Sequence, residues 1–86
     1  MITYEEAKDK ATSARSGLDT ALEYKDAYVF YNSKARGHET EDNEIVILKK
    51  NGSRVSMSEY VMMTQDDSTP KKVKFWNYYI NFLRIL

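Results

Sequence analysis

The residues best suited to chemistry surround the single histidine, His38, in the segment Arg-Gly-His-Glu-Thr-Glu-Asp-Asn-Glu at positions 36–44. An imidazole close to carboxylates could serve as a general base or bind a metal ion. One imidazole provides too few strong ligands for zinc, and the segment lacks the regular aspartate spacing of a calcium loop. We interpret it as a solvated acidic loop and expect no metal or other cofactor. Its carboxylates are Glu39, Glu41, Asp42 and Glu44.

The sequence contains no motif for nucleophilic catalysis or for phosphate binding. The chain contains no cysteine and no Gly-x-Ser-x-Gly turn, so no activated nucleophile is indicated. Its three glycines are too far apart to form a glycine-rich phosphate loop. We therefore expect a protein that is not an enzyme.

Three lysines, Lys71, Lys72 and Lys74, precede the aromatic residues Phe75 and Trp76. Basic and aromatic residues in this combination can bind single-stranded nucleic acid by stacking. However, thirteen basic and thirteen acidic residues give the chain a formal net charge of zero, which does not attract a polyanion. We interpret the lysines as the solvated start of a strand and expect no nucleic-acid partner.

Length and composition indicate one domain over residues 1–86, stabilised by a hydrophobic core without disulfides. The acidic N-terminal segment is unlike a secretory signal, so we expect a cytoplasmic protein. The longest uncharged stretch near the C-terminus, residues 75–83, is much shorter than the roughly 20 apolar residues of a spanning helix. We therefore expect no association with a membrane.

The first predicted element is a helix over about residues 4–16. Thr3 and Glu6 have the spacing of a capping box. Gly17 can adopt the left-handed conformation that commonly ends a helix. Residues 18–26 are consistent with either a further helical turn or a connector that crosses the core. The apolar stripe of the helix consists of small side chains and one tyrosine, namely Tyr4, Ala7, Ala11 and Ala14.

Two strands are predicted at the centre of a sheet, at residues 27–31 and 44–48, because both segments are rich in aromatic and β-branched residues. Asn51 and Gly52 then predict a hairpin turn in which both residues have positive φ, with residues 54–57 paired against 45–50.

The segments that follow are less distinct. Residues 58–63 fit either a short helix capped by Ser58 or an extended segment, and residues 65–70 are predicted to form a loop.

The C-terminal segment, residues 73–86, contains ten apolar or aromatic residues in fourteen positions. Its polar residues recur at helical spacing, although residues 72–76 could instead complete the sheet as a strand. The predicted fold class is therefore α+β: an N-terminal helix packed on a small antiparallel sheet of three to four strands, with a C-terminal aromatic helix or strand. The polar residues of the segment are Lys74, Asn77, Asn81 and Arg84.

The segments ITYEEAKDKA, EYKDAYVFYNS and EIVILKKNGSRVSMSEYV, in that order, resemble a group of small uncharacterised bacterial domains. They are more distantly similar to the immunity-type domains of polymorphic toxin systems. The resemblance covers about residues 2–76 and implies a small α+β fold that binds and blocks a toxin. It assigns no residue a role, and the C-terminal YYINFLRIL segment departs from the pattern.

Two functions follow as expectations. The first is a non-catalytic protein-binding module, immunity-like, whose acidic loop would suit a basic partner. The second is a structural or self-associating protein that forms a homodimer through the C-terminal aromatic segment. The candidate partner-binding residues are Glu39, Glu41, Asp42 and Glu44 for the first, and Trp76, Tyr78, Tyr79 and Phe82 for the second.

Overall fold

A computed structural model describes residues 1–35, 44–65 and 69–75 of the chain. Over these residues an N-terminal helix packs on an antiparallel sheet, and a second helix packs against the same sheet. The predicted α+β class is confirmed, although the sheet has five strands instead of three to four. The elements in chain order are α1 (Tyr4–Ala14), β1 (Thr20–Glu23), β2 (Ala27–Tyr31), a 3-10 helix (Ser33–Ala35), β3 (Glu44–Leu48), β4 (Arg54–Val55), α2 (Met57–Thr64) and β5 (Lys71–Val73).

Helix α1 begins with the predicted capping box. The Glu6 N–H donates to Thr3 Oγ1 at 3.1 Å, and the Thr3 N–H donates to Glu6 Oε1 at 3.2 Å. The prediction for the helix end is wrong, because Arg15 is already extended, with φ of −152° and ψ of 136°. Gly17 does have a positive φ of 83°, but it lies in the connection that brings the buried Leu18 into the core.

The two strands predicted at the centre of the sheet, β2 and β3, are confirmed and pair antiparallel. The strand order is β4-β3-β2-β1-β5. Strand β1 arises in residues 18–26, where the sequence left a helical turn or a connector open. It pairs with β2 on one side and β5 on the other. The sequence allowed residues 72–76 to complete the sheet as a strand, and the structure has a strand there at Lys71–Val73.

The hairpin between β3 and β4 differs from the predicted turn. Gly52 has a φ of 76°, but Asn51 does not have a positive φ. The Gly52 N–H donates to the Leu48 carbonyl oxygen at 2.8 Å, which makes the loop longer than a two-residue turn. Asn51 Oδ1 accepts from the Ser53 N–H at 2.9 Å, and this local bond satisfies the Asn51 side chain without the left-handed conformation.

Each helix covers one face of the sheet. On one face, α1 packs its buried Ala7 and Ala11 against Phe30 and Ile45. These alanines let the helix backbone lie close to the strands. On the other face, Tyr60 of α2 packs against a cluster formed by Ala27, Val29, Val46 and Leu48.

Helix α2 settles the ambiguity that the sequence left at residues 58–63. Its N-cap is Ser56 rather than Ser58, and the Ser56 side chain accepts from the Glu59 N–H at 3.0 Å. Because Ser56 is a cap, pairing of β4 with β3 stops at Val55 instead of continuing to Met57. The helix ends at Gln65, which has a left-handed conformation with φ of 50°.

Two predictions fall largely outside the described residues. Of the predicted loop at 65–70, Gln65, Thr69 and Pro70 are described and have no regular structure. Of the predicted C-terminal aromatic segment, the first three residues are described, and Val73 ends β5 while Lys74 and Phe75 have no regular structure. The rest of that prediction concerns residues 76–86, which lie outside the described residues.

Candidate functional site

One of the candidate residues predicted from the sequence can be placed. Glu44 is exposed at the first position of β3, opposite Tyr31 of β2. Because Glu44 is the one candidate among the described residues, the position of one candidate relative to another stays a prediction. Outside the described residues lie His38, Glu39, Glu41, Asp42, Trp76, Tyr78, Tyr79 and Phe82.

A different surface stands out on α2, where three consecutive apolar side chains are exposed. Val61 is 45% exposed, Met62 79% and Met63 61%. We call these three residues the α2 apolar surface. The three follow one another along the helix and point in directions about 100° apart, so together they cover much of its exposed side, and apolar side chains gathered on an exposed surface commonly mark a protein contact. Methionine is suited to such contacts because its unbranched thioether adapts to the shape of a partner.

The exposure of these residues follows from how α2 is held. Successive helical residues are about 100° apart around the axis, so Met57, Tyr60 and Thr64 share one side. Tyr60 is fully buried, and Met57 and Thr64 are half-buried. That side therefore packs on the sheet, and the α2 apolar surface occupies the arc that is left.

Tyr60 fixes the helix in this orientation. Its ring meets that of Tyr24 edge to face, with centroids 5.7 Å apart and planes at 70°. Its hydroxyl oxygen accepts from the Asp26 N–H at 3.2 Å. These contacts tie α2 to the turn between β1 and β2, so rotation of the apolar residues toward the core would break them.

Charge on the outer side of α2 is sparse. Within the helix, Glu59 is the single charged residue, and it lies in the first turn, where a carboxylate interacts favourably with the helix dipole. Ser58 is the other polar residue on the exposed arc. The surface is therefore mainly apolar, with one acidic group at its N-terminal end.

A second feature concerns the point where the chain approaches the C-terminal aromatic segment. The Tyr4 hydroxyl donates to the Lys74 carbonyl oxygen at 3.2 Å, and Lys8 Nζ donates to the Phe75 carbonyl oxygen. Phe75 is 5% exposed and meets the Phe30 ring edge to face. Helix α1 thus holds the backbone immediately before Trp76.

Burial raises the pKa of Tyr4 to about 12, with further contributions from Glu5 and Tyr28. The hydroxyl is therefore protonated at neutral pH and can donate the bond to Lys74. The Tyr4 ring also packs against the Tyr28 ring at 5.3 Å and the Phe30 ring at 6.0 Å. This cluster is structural, because its hydrogen bond and ring contacts are all made within the fold.

A third cluster lies where the chain leaves β2 toward the predicted acidic loop. The Asp19 carboxylate accepts from the Ser33 N–H at 2.8 Å, the Ser33 hydroxyl at 2.8 Å and the Thr20 hydroxyl at 2.9 Å. These bonds, the Ser33 N–H first, lower the pKa of Asp19, because they stabilise the charged form. Asp19 therefore fastens the end of β2 to the start of β1.

Metal binding and membrane insertion find no support in the described part of the chain. Over residues 1–35, 44–65 and 69–75, no three His, Cys, Asp or Glu side chains come together as metal ligands. Neither of the two helices there is long and apolar enough to cross a membrane.

The lysines that precede the aromatic segment lie on or directly after β5, an edge strand of the sheet that the described residues form. Lys71 and Lys72 belong to β5, Lys74 follows it directly, and all three are exposed. A solvated strand start is therefore confirmed for Lys71 and Lys72, whereas Lys74 lies after the end of the strand at Val73. Lysines on an edge strand also discourage pairing with other chains.

No protein-family model, curated protein or solved structure matches the chain. The resemblance to immunity-type domains accordingly stays a prediction. Among the described residues, the α2 apolar surface is the feature that bears most directly on function.

Sequence reasoning missed the α2 apolar surface because it left residues 58–63 open between helix and strand. The signal was present in the run Val61-Met62-Met63, which follows a serine cap and contains no charge. Three consecutive apolar residues on a short helix cannot all face one sheet. A helix assignment alone would therefore have indicated exposure of part of the run.

Proposed function

We propose that this chain is a non-catalytic protein-binding module that acts in the bacterial cytoplasm and contacts its partner through the α2 apolar surface. The observation that carries the proposal is the exposure of Val61, Met62 and Met63 on a helix whose opposite side is anchored by Tyr60. The partner surface is expected to be apolar at its centre, because desolvation of these side chains would supply most of the binding free energy.

The geometry of α2 supports a preformed contact. Tyr60, its ring contact with Tyr24 and the Ser56 cap hold the helix without a partner, so binding would require little ordering of the backbone. Preorganisation of this kind increases affinity because less conformational entropy is lost on association. Rearrangement of the two methionines would then adapt the surface to the partner.

The specific form of the proposal is an immunity-like role in which the chain binds and blocks a cognate toxin. The resemblance of residues 2–76 to immunity-type domains supports it, as does the concentration of acidic residues at positions 39–44. Acidic groups would raise the rate of association with a basic toxin. Glu44, exposed at the start of β3, would contribute to this attraction between the acidic residues and a basic toxin.

The test is co-isolation of the tagged full-length protein from cells of its source organism. Wild type is compared with Met62→Glu and with Thr12→Glu, a control at an exposed position of α1. We expect a stoichiometric partner with wild type and Thr12→Glu and its loss with Met62→Glu, because a carboxylate would be buried in an apolar contact. Equal recovery of the partner with all three proteins would contradict the proposal.

Self-association through Trp76, Tyr78, Tyr79 and Phe82 is the alternative function. The observation that favours it is the anchorage of Lys74 and Phe75 on α1, which fixes where the aromatic segment begins. Light scattering of the full chain and its Tyr79→Asp variant distinguishes the two functions. A wild-type dimer that becomes a monomer in the variant would favour self-association, and two monomers would exclude it.

A further inference from the structure

Strand β4 lies at one end of the sheet, and no other strand among the described residues pairs with its outer edge. Ile47 lies opposite Tyr28 of β2 on one side and Arg54 of β4 on the other. The Lys49 N–H donates to the Asp26 carbonyl oxygen, and hydrogen-bonded pairs alternate along an antiparallel ladder. Ile47 therefore exchanges its backbone bonds with Tyr28, and the Arg54 N–H and carbonyl point away from the sheet.

A groove of about 530 Å³ lies beside this edge, between α1 and the β3–β4 hairpin. It exists because α1 packs over β2 and β3, whereas β4 extends beyond the helix. The buried side chain of Ile47, 2% exposed, gives it an apolar floor. The other lining residues are Asp9, Lys10 and Ser13 from α1, and Gly52 and Arg54 from the hairpin.

Gly52 sets the width of the groove at the hairpin end. A Cβ at this position would lie 2.9 Å from Lys10 Cε and 3.5 Å from two carbons of Ile2. The hairpin therefore packs directly on the Lys10 side chain. Lys10 lines the groove from α1 and Arg54 lines it from the hairpin, so a ligand in the groove would lie near two cations.

The charges of the groove select the ligand. Lys10 and Arg54 are both exposed and, within the described residues, form no ion pair, and Asp9 is the single acid of the lining. The excess of positive charge favours a carboxylate, which arginine binds through two parallel hydrogen bonds. The Asp9 carboxylate and the Ser13 hydroxyl can accept hydrogen bonds from N–H groups of the same ligand.

We propose that this groove binds an extended acidic segment of a partner protein, which pairs with the outer edge of β4 through the Arg54 backbone. One side chain of the segment lies on Ile47, and a carboxylate two residues along the segment, on the same face of the added strand, is bound by Arg54 and Lys10. Addition of a strand to a free sheet edge is a common mode of peptide recognition. The site is separate from the α2 apolar surface, since α1 and α2 cover opposite faces of the sheet.

The test uses the full-length protein and two capped pentapeptides, acetyl-Val-Thr-Glu-Thr-Val-amide and its Gln counterpart, in which the valines and the central residue share one face of an extended strand. Binding is followed by amide chemical shifts in NMR titrations. We expect the Glu peptide to shift the amides of Arg54 and Gly52 and to bind roughly tenfold more tightly than the Gln peptide, as a charge-assisted hydrogen bond does relative to a neutral one. Arg54→Gln should remove this preference. Equal affinity of the two peptides for wild type, or shifts confined to α2, would overturn the proposal.

Steric variants provide the matched control. Ser13→Phe places a ring in the groove, whereas Thr12→Phe adds the same ring at a neighbouring exposed position that does not line it. We expect Ser13→Phe to weaken binding of the Glu peptide about tenfold or more and Thr12→Phe to leave it within about twofold. Equal effects of the two variants would contradict the assignment of the site. Shifts reproduced in full by acetate would assign the groove to small anions and would also overturn strand addition.

Discussion

The hydroxyl of Tyr4 donates a hydrogen bond of 3.2 Å to the carbonyl oxygen of Lys74, which joins the first turn of α1 to the end of the described chain. Lys8, one helical turn further on, donates to the carbonyl oxygen of Phe75 and lies 4.8 Å from the centroid of the Phe75 ring. The amine thus contributes a hydrogen bond and a cation–π contact. The N-terminal helix therefore secures β5 and the buried Phe75 at the edge of the sheet.

Removal of the Tyr4 hydroxyl should weaken this connection. We expect Tyr4→Phe to lower the free energy of unfolding by about 1 kcal/mol, the usual net contribution of one hydrogen bond. Tyr31→Phe is the control, because the Tyr31 hydroxyl forms no hydrogen bond with any other described residue, and it should change stability by less than about 0.5 kcal/mol. Urea denaturation measures both, and equal losses would contradict the role of Tyr4.

Tyr4 should also make stability depend on alkaline pH. An unfolded tyrosine ionises near 10.0, whereas the pKa of Tyr4 in the fold is about 12. The folded state therefore retains the proton more strongly, so the contribution of Tyr4 is fully present below pH 10 and is lost as the pH rises from 10 to 12. Thermal unfolding across this range should show a smaller decline for Tyr4→Phe than for wild type; parallel curves would exclude the effect.

The Asp19 cluster predicts the opposite dependence at acid pH. Hydrogen bonds from Ser33 and Thr20 hold the pKa of Asp19 below its ordinary value of 3.8. Its stabilisation is therefore present above pH 3.8 and is lost as the pH falls below that value. Asp19→Asn should be less stable than wild type at pH 7, with a shallower loss on acidification. Asp9→Asn, at an exposed position of α1, should retain the wild-type profile in the same thermal measurements.

These contacts explain which elements the sequence could predict. The start of α1 depends on Thr3 and Glu6, which are three residues apart, so a local motif was sufficient. Strand β1 depends on pairing with β2 and with β5, and β5 lies about fifty residues further along the chain. The segment Thr-Ala-Leu-Glu has no strong preference for a strand by itself, and its pairing on both sides decides its conformation.

The candidate site was harder to predict than the fold. Exposure of Val61, Met62 and Met63 depends on the burial of Tyr60 beneath them, and that burial requires Tyr24 and Asp26 from a distant hairpin. No sequence pattern near Tyr60 indicates that its side chain contacts Tyr24 and Asp26. The acidic candidates could be chosen by composition alone, and of these Glu44 is the one that the structure describes.

Helix α2 should respond very differently to substitution on its two sides. Tyr60→Ala is expected to lower the free energy of unfolding by about 3 to 5 kcal/mol, as for other buried aromatic residues. Met62→Ala should change it by less than about 0.5 kcal/mol, because that side chain is 79% exposed. Guanidinium denaturation compares the two variants. A loss of several kcal/mol for Met62→Ala would mean that this side chain belongs to the core.

The central claim, that α2 presents a surface to a partner protein, is tested most directly by photocrosslinking inside cells of the source organism. A photoreactive amino acid replaces Met62 in the full-length protein, and a control protein carries it at Thr12 on the opposite helix. We predict one discrete crosslinked product with a different protein from position 62 and none of that product from position 12. Absence of the product from position 62, or the same product from both positions, would contradict the account.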